Sequence, residues 1–175
     1  MKKILKITLF VSFMALMISS CKPDNDFSIG QPQNRLMQLA GTWKLQSVIQ
    51  IDLIAKSNNF IDQARPDVSL TQLDITGIAP FTDMTVSFAN DASNIPSTFA
   101  INYGAAPKIF KLTGGTWEVD DLKAPGNITF ISGTETVSTI LGNVNNLSAG
   151  MLTLKLIKSQ GAKPVIEYNY NFIKN

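Results

Sequence analysis

The chain has no histidine and a single cysteine among its 175 residues. Without histidine there is no Ser–His–Asp triad, no His-ligated zinc and no imidazole acid–base catalysis. One cysteine rules out an intrachain disulfide and any CxxC metal or redox motif. Charge is sparse at 16% of residues, and the lysines are scattered singly, so no basic stripe for nucleic acid exists. Gly114-Gly115 lacks the Lys-Ser/Thr pair and the following helix of a phosphate loop. No metal or cofactor is therefore expected, and paired carboxylates are the one catalytic device left.

What is present begins with an address. Lys2, Lys3 and Lys6 precede an apolar run of 12 residues, Ile7 to Ile18. That run falls short of the ~20 apolar residues a bilayer-spanning helix needs, and it suits a secretory h-region. Ile18-Ser19-Ser20-Cys21 then resembles the lipobox of bacterial lipoproteins. The resemblance implies cleavage before Cys21 and lipid attachment at that residue, so residues 1–20 are the signal peptide. Residues 21–33, polar and rich in Pro and Gly, have the composition of a tether, and residues 34–175 remain for the folded domain. Lys22, in place of an Asp after the cysteine, points to the outer membrane. Lys22 followed by Asp24 and Asp26 also resembles the cell-surface export signal of Bacteroidetes lipoproteins. Removing residues 1–20 leaves 12 bases against 13 acids, so the net basicity of the whole chain belongs to the leader.

Past the tether the sequence alternates with period two, the mark of half-buried strands. Trp43, Leu45, Ser47, Ile49 and Ile51 share one face of a first strand; further strands are expected over 68–76, 84–88, 98–103, 109–119, 127–132, 135–141, 151–158 and 165–173. In the last, Ile166, Tyr168, Tyr170 and Phe172 oppose Glu167, Asn169 and Asn171. Gly104, Pro125-Gly126, Gly133, Gly142-Asn143 and Gly161 punctuate them as turns. Helix is confined to short pieces near 33–39 and 57–63. Nine or ten short strands predict one all-β domain, an antiparallel up-and-down barrel, with a β-sandwich as the alternative. Gly41-Thr42-Trp43 recurs as Gly115-Thr116-Trp117, which leaves open a repeat of two half-barrels.

Leu39-Ala40-Gly41-Thr42-Trp43, opening the first strand after a short helical turn, resembles the Gly-x-Trp signature of lipocalin-like proteins. More closely it is similar to the lipocalin-like lipoproteins of Bacteroidetes, many known only as domains of unknown function. Phe110 to Val119, with Ile128-Thr129-Phe130 after it, resembles the middle of those domains. The resemblance implies an up-and-down barrel, open or flattened, with Gly41, Trp43, Gly115 and Trp117 as its structural signature and no established chemistry. In lipocalins an Arg near the end of the last strand covers the signature Trp. Here the terminal cation is Lys174, and the C-terminal helix and disulfides are missing. These departures weigh against a deep calyx.

Among the carboxylates, Glu118, Asp120 and Asp121 cluster, but the aspartates sit in a connection where Asx side chains cap local backbone. Glu135 and Glu167 are expected to face solvent. Tyr103, Trp117, Tyr168 and Tyr170 are the candidate ligand-binding aromatics, weighed against plain core packing. The expected function is non-enzymatic: a lipid-anchored envelope barrel that binds a small apolar or sugar ligand, or an envelope protein partner. The alternative is an accessory subunit of a surface complex without a cavity, and a carboxylate hydrolase is the distant third.

Overall fold

The computed structural model describes residues 34–58 and 71–175; Cys21 and the proposed lipobox lie outside them. Asn34 caps a short helix α1, Arg35–Leu39, through its side chain to the Met37 N–H, and α1 buries Leu36 and Leu39. Strand β1, Gly41–Asp52, follows directly, and its Asp52 side chain caps helix α2, Leu53–Ser57. Helix α2 was not among the expected elements; the helix expected over 57–63 lies, from 59 onward, outside the described residues. Strand β2 is only Gln72–Asp74. It leads through two 3-10 turns, Thr76–Ile78 and Phe81–Asp83, to β3 (Thr85–Asn90) and β4 (Pro96–Asn102). Then come β5 (Gly114–Val119), β6 (Asn127–Ser132), β7 (Glu135–Leu141), β8 (Met151–Gln160) and β9 (Lys163–Lys174).

β1 and β3 to β9 pair in sequence order, all antiparallel, and β9 returns to β1 from Asp52↔Ile166 to Trp43↔Lys174. The result is a closed eight-stranded up-and-down barrel, not a sandwich. Closure removes the exposed sheet edges that an open sheet would present. β2 stands outside the ring, paired with Ile49 to Ile51 of β1. We call the end carrying α1 the near end and the opposite one the far end.

Two corrections follow from the backbone. β1 carries a bulge between Leu45 and Ser47. One extra residue in a strand reverses the faces beyond it. Trp43 and Leu45 face inward as expected, but after the bulge Val48 is the buried residue opposite Tyr170, while Ser47 and Ile49 oppose the outward Asn171 and Asn169. The strand expected over 109–119 begins only at Gly114. Lys111 adopts a left-handed φ of 59°, its N–H bonding to the Lys108 carbonyl, so 103–113 is a folded loop. Phe110 and Leu112 are buried as the alternation suggested, but from a plug in the barrel mouth. Tyr103 Oη holds that plug by donating to the Leu112 carbonyl at 2.8 Å.

The repeat is not a half-barrel repeat. β1 and β5 are separated by three steps around the ring, so they run antiparallel and enter from opposite ends. Each indole nonetheless finds a carbonyl: Trp43 Nε1 donates to Leu39 at 2.7 Å, and Trp117 Nε1 to Ala89 at 2.9 Å. Ala89 lies opposite a bulge in β4, where Ser97 and Thr98 stand against it alone between the pairs Phe88↔Phe99 and Asn90↔Pro96. Gly115 is required sterically, since a Cβ there would collide with the Ile131 carbonyl and press on the Phe99 ring.

A file of rings runs from Trp117 to Phe88 (4.9 Å between centroids), Phe130 (5.8 Å), Phe110 (5.6 Å), Tyr170 (5.5 Å) and Tyr168 (6.2 Å). Phe99 joins it edge-on against Phe130 at 4.9 Å. Leu45, Met84, Val86, Ile128, Leu152, Leu154 and Phe172 pack around this file, all at most 2% exposed.

Candidate functional site

The candidate aromatics separate along that file. Tyr103, Tyr168 and Tyr170 belong to the far half, with Phe110 against Tyr170, whereas Trp117 lies toward the near end. Tyr103 and Tyr170 are buried, and Tyr168 is half-buried. Burial raises the Tyr170 phenol well above its ordinary value, reinforced by the charges Tyr168 and Tyr103 would carry if ionised. Burial likewise raises Tyr103. Both of these hydroxyls therefore remain protonated at neutral pH and offer hydrogen bonds, not a base. Tyr103 and Tyr170 act as core, and Tyr168 alone reaches the surface.

Among the described residues the candidate carboxylates have local structural partners or face solvent. Asp120 Oδ1 accepts from the Gly126 and Asn127 N–H groups at 2.8 and 2.9 Å, and its Oδ2 from Asn127 Nδ2 at 2.7 Å. Those bonds, the Asn127 N–H foremost, hold its carboxyl below the ordinary range. Asp121 Oδ1 accepts from the Lys123 N–H at 2.7 Å. Both aspartates are thus fasteners of the β5–β6 connection. Glu118 points outward from β5 and is exposed, Glu135 is exposed at the start of β7, and Glu167 pairs with Lys155 at 3.7 Å.

A groove of about 370 Å³ opens on the wall where β4 and β5 part. Their pairing runs from Ala100↔Gly114 to Thr98↔Thr116 and stops there, and Trp117, Glu118 and Val119 pair with β6 alone. Ile95, Pro96 and Ser97 line one side; Thr116 to Val119, Leu122 and Ile131 line the other. Pro96 starts β4 without a backbone N–H, which favours an end to the ladder at that point. Of the groove residues, Trp117 was a ligand-binding candidate from sequence and Glu118 one of the clustered carboxylates. Gly41 and Trp43 lie at the near end, where Lys174 covers the indole.

The class is thereby defined: a closed eight-stranded antiparallel barrel with a file of aromatic rings along its interior and a groove on its outer wall. The chain belongs to the family described as Domain of unknown function (DUF5004), whose model matches residues 19–173. No curated protein matches it.

Proposed function

We propose that this protein is a lipid-anchored, non-enzymatic module of the bacterial cell envelope, a lipocalin-like lipoprotein of the Bacteroidetes type that engages a protein partner through its outer surface. The anchor is the lipidated Cys21, the tether is 21–33, and the address is the outer membrane and its cell-surface face. The observation that carries the partner reading is the unbroken file of rings from Trp117 to Tyr168, which occupies the space a calyx would use. A ligand entering along that file would have to displace rings already in contact. Exposed apolar residues stand at the far end instead, with Leu73 on β2 and Ile78 in the turn after it. Such residues on a filled barrel favour a protein surface over a small molecule.

Two measurements test this on the full chain in its own cells. Cys21→Ser should abolish lipid attachment and release the protein from the membrane fraction; a variant still carrying covalent lipid sinks the anchor. A photo-crosslinking residue at Ile78 should give one discrete protein adduct, and purified protein should bind apolar fluorescent ligands only after Phe110→Ala removes the plug. Saturable binding of such a ligand to the unaltered protein would overturn the filled-barrel reading.

A further inference from the structure

We propose that the near end of the barrel is a lipid-facing surface, with Met37, Ile95, Leu122, Met151 and Ile173 seated against the headgroup layer of the membrane; this rests on the Cys21 anchor proposed above. These five large apolar side chains are between 39% and 55% exposed. Scattered singly they would mean nothing, but contacts link them around one end. Asn90 Nδ2, at the end of β3, donates to the Leu36 carbonyl of α1 next to Met37, and Asp91 N–H donates to the Ile95 carbonyl. Ile95 faces Leu122 across the groove. On the other side Lys174 reaches the Gln38 carbonyl, again beside Met37, and its neighbour Ile173 lies directly opposite Met151 in the β8–β9 ladder.

The place where the chain enters identifies the occupant. Asn34 and α1 lie at this same end, and 13 residues separate Cys21 from Asn34 inclusive of the cysteine. Fully extended they reach about 45 Å at most. The anchor therefore holds this end at high effective concentration near the bilayer, so a weak contact is enough to seat it. Charge does not compete with apolar contact here. Arg35, Lys44, Lys123 and Lys174 stand at this end against Asp91, Glu118, Asp120 and Asp121, so the side-chain charges of these eight residues balance. Seating should therefore be indifferent to anionic lipid. It also turns the far end, with Leu73 and Ile78, away from the membrane toward a partner.

The test uses the full chain matured in a host that lipidates it, reconstituted in vesicles of phosphatidylethanolamine with and without phosphatidylglycerol. Because Cys21 is the single native cysteine and lipidation consumes it, Leu122→Cys or Met37→Cys gives one site for an environment-sensitive dye. Dye at either position should shift to the blue and be quenched by headgroup-spin-labelled lipid, equally in both vesicle types, while dye at Ile78→Cys should do neither. Protein that fails to float with the vesicles overturns the anchor and this proposal together. Protein that floats, with the dye at Leu122 and Met37 as unquenched as at Ile78, overturns the seating alone.

Discussion

Lys174 covers Trp43: its Nζ lies 5.2 Å from the indole centroid and donates to the Gln38 carbonyl at 2.9 Å. The indole in turn donates to Leu39. One cation at the end of β9 and one ring at the start of β1 thus pin α1 across the near end. The ring is fully buried, so the ammonium acts on its face from the solvent side. The pairing is the counterpart of the lipocalin Arg over Trp, made with a point charge in place of a planar guanidinium.

Lys174→Met should keep the stem and lose the charge. The cation–π contact is worth ~0.5–1 kcal/mol at an exposed site and the hydrogen bond ~0.5–1.5 kcal/mol. A loss of about 1–2 kcal/mol in urea unfolding is expected, and Lys174→Arg should retain most of it. A Met variant that unfolds with the unaltered protein would show that the stack contributes nothing.

Gly115→Ala tests whether the close approach of β5 to β6 is obligatory. Its new methyl would meet the Ile131 carbonyl and the Phe99 ring. Overpacking of this kind costs ~1–3 kcal/mol. A methyl added at Gly77 would meet nothing within 4 Å, and the backbone there has no left-handed φ. Gly77→Ala should therefore be neutral or stabilise by ~0.4–1 kcal/mol through the unfolded chain. Equal effects at the two positions would refute the steric account.

How much of this was legible differs from strand to strand. β9 could be read outright, because Tyr168, Tyr170 and Phe172 alternate with polar residues and the strand pairs with β8 without a break from Met151↔Ile173 to Lys158↔Ile166. β1 was legible only as far as Leu45. The bulge that turns Val48 inward depends on how β9 pairs with it, and alternation within one strand carries no trace of that. Phe110 and Leu112 looked like strand residues because both are buried at spacing two, yet a loop can bury the same pair, and Pro107 with Gly104 was the only warning. The Trp43 end of the site was legible from Gly-Thr-Trp. The groove was not, since it exists where two strands part, and that is a property of pairing between segments.

Asp120 sets an acid dependence. Its carboxyl is held below the ordinary 3.8 by the Asn127 and Gly126 N–H groups. A depressed folded-state value means that the ionised group adds stability above the unfolded value, and that this is lost as pH falls through the folded one. Asp120→Asn should therefore be less stable than the unaltered protein at neutral pH, with the gap closing below pH ~4. Denaturant melts across that range measure it; a gap constant down to pH ~2 would sink the claim.

Glu118→Gln should change neither stability nor partner crosslinking. The side chain is exposed and faces outward from β5, and surface changes away from special features stay within ~0.5 kcal/mol. Loss of a measurable hydrolytic activity in this variant would reopen the enzyme reading.

The two indoles give the sharpest comparison, because each bonds one carbonyl in a different setting. Trp43 Nε1–Leu39 O is buried, while Trp117 Nε1–Ala89 O is partly buried beside the groove. Replacing either Trp by Phe keeps a ring and removes the N–H. An acceptor left unpaired away from water costs ~1–3 kcal/mol, whereas one that water can reach costs less. Leu39 belongs to the last turn of α1 and is fully buried; Ala89 is exposed, opposite the bulge of β4. Trp43→Phe should therefore destabilise more than Trp117→Phe, by about 1 kcal/mol or more, and Trp43→Ala by ~3–5 kcal/mol through the cavity it leaves. With only two tryptophans, each Phe variant leaves a single reporter. In the lipidated protein on vesicles, fluorescence from Trp117 in the Trp43→Phe variant should respond to headgroup quenchers more than that from Trp43 in the Trp117→Phe variant. The reverse order in stability would mean that Ala89 is the drier acceptor and that the groove is closed in solution.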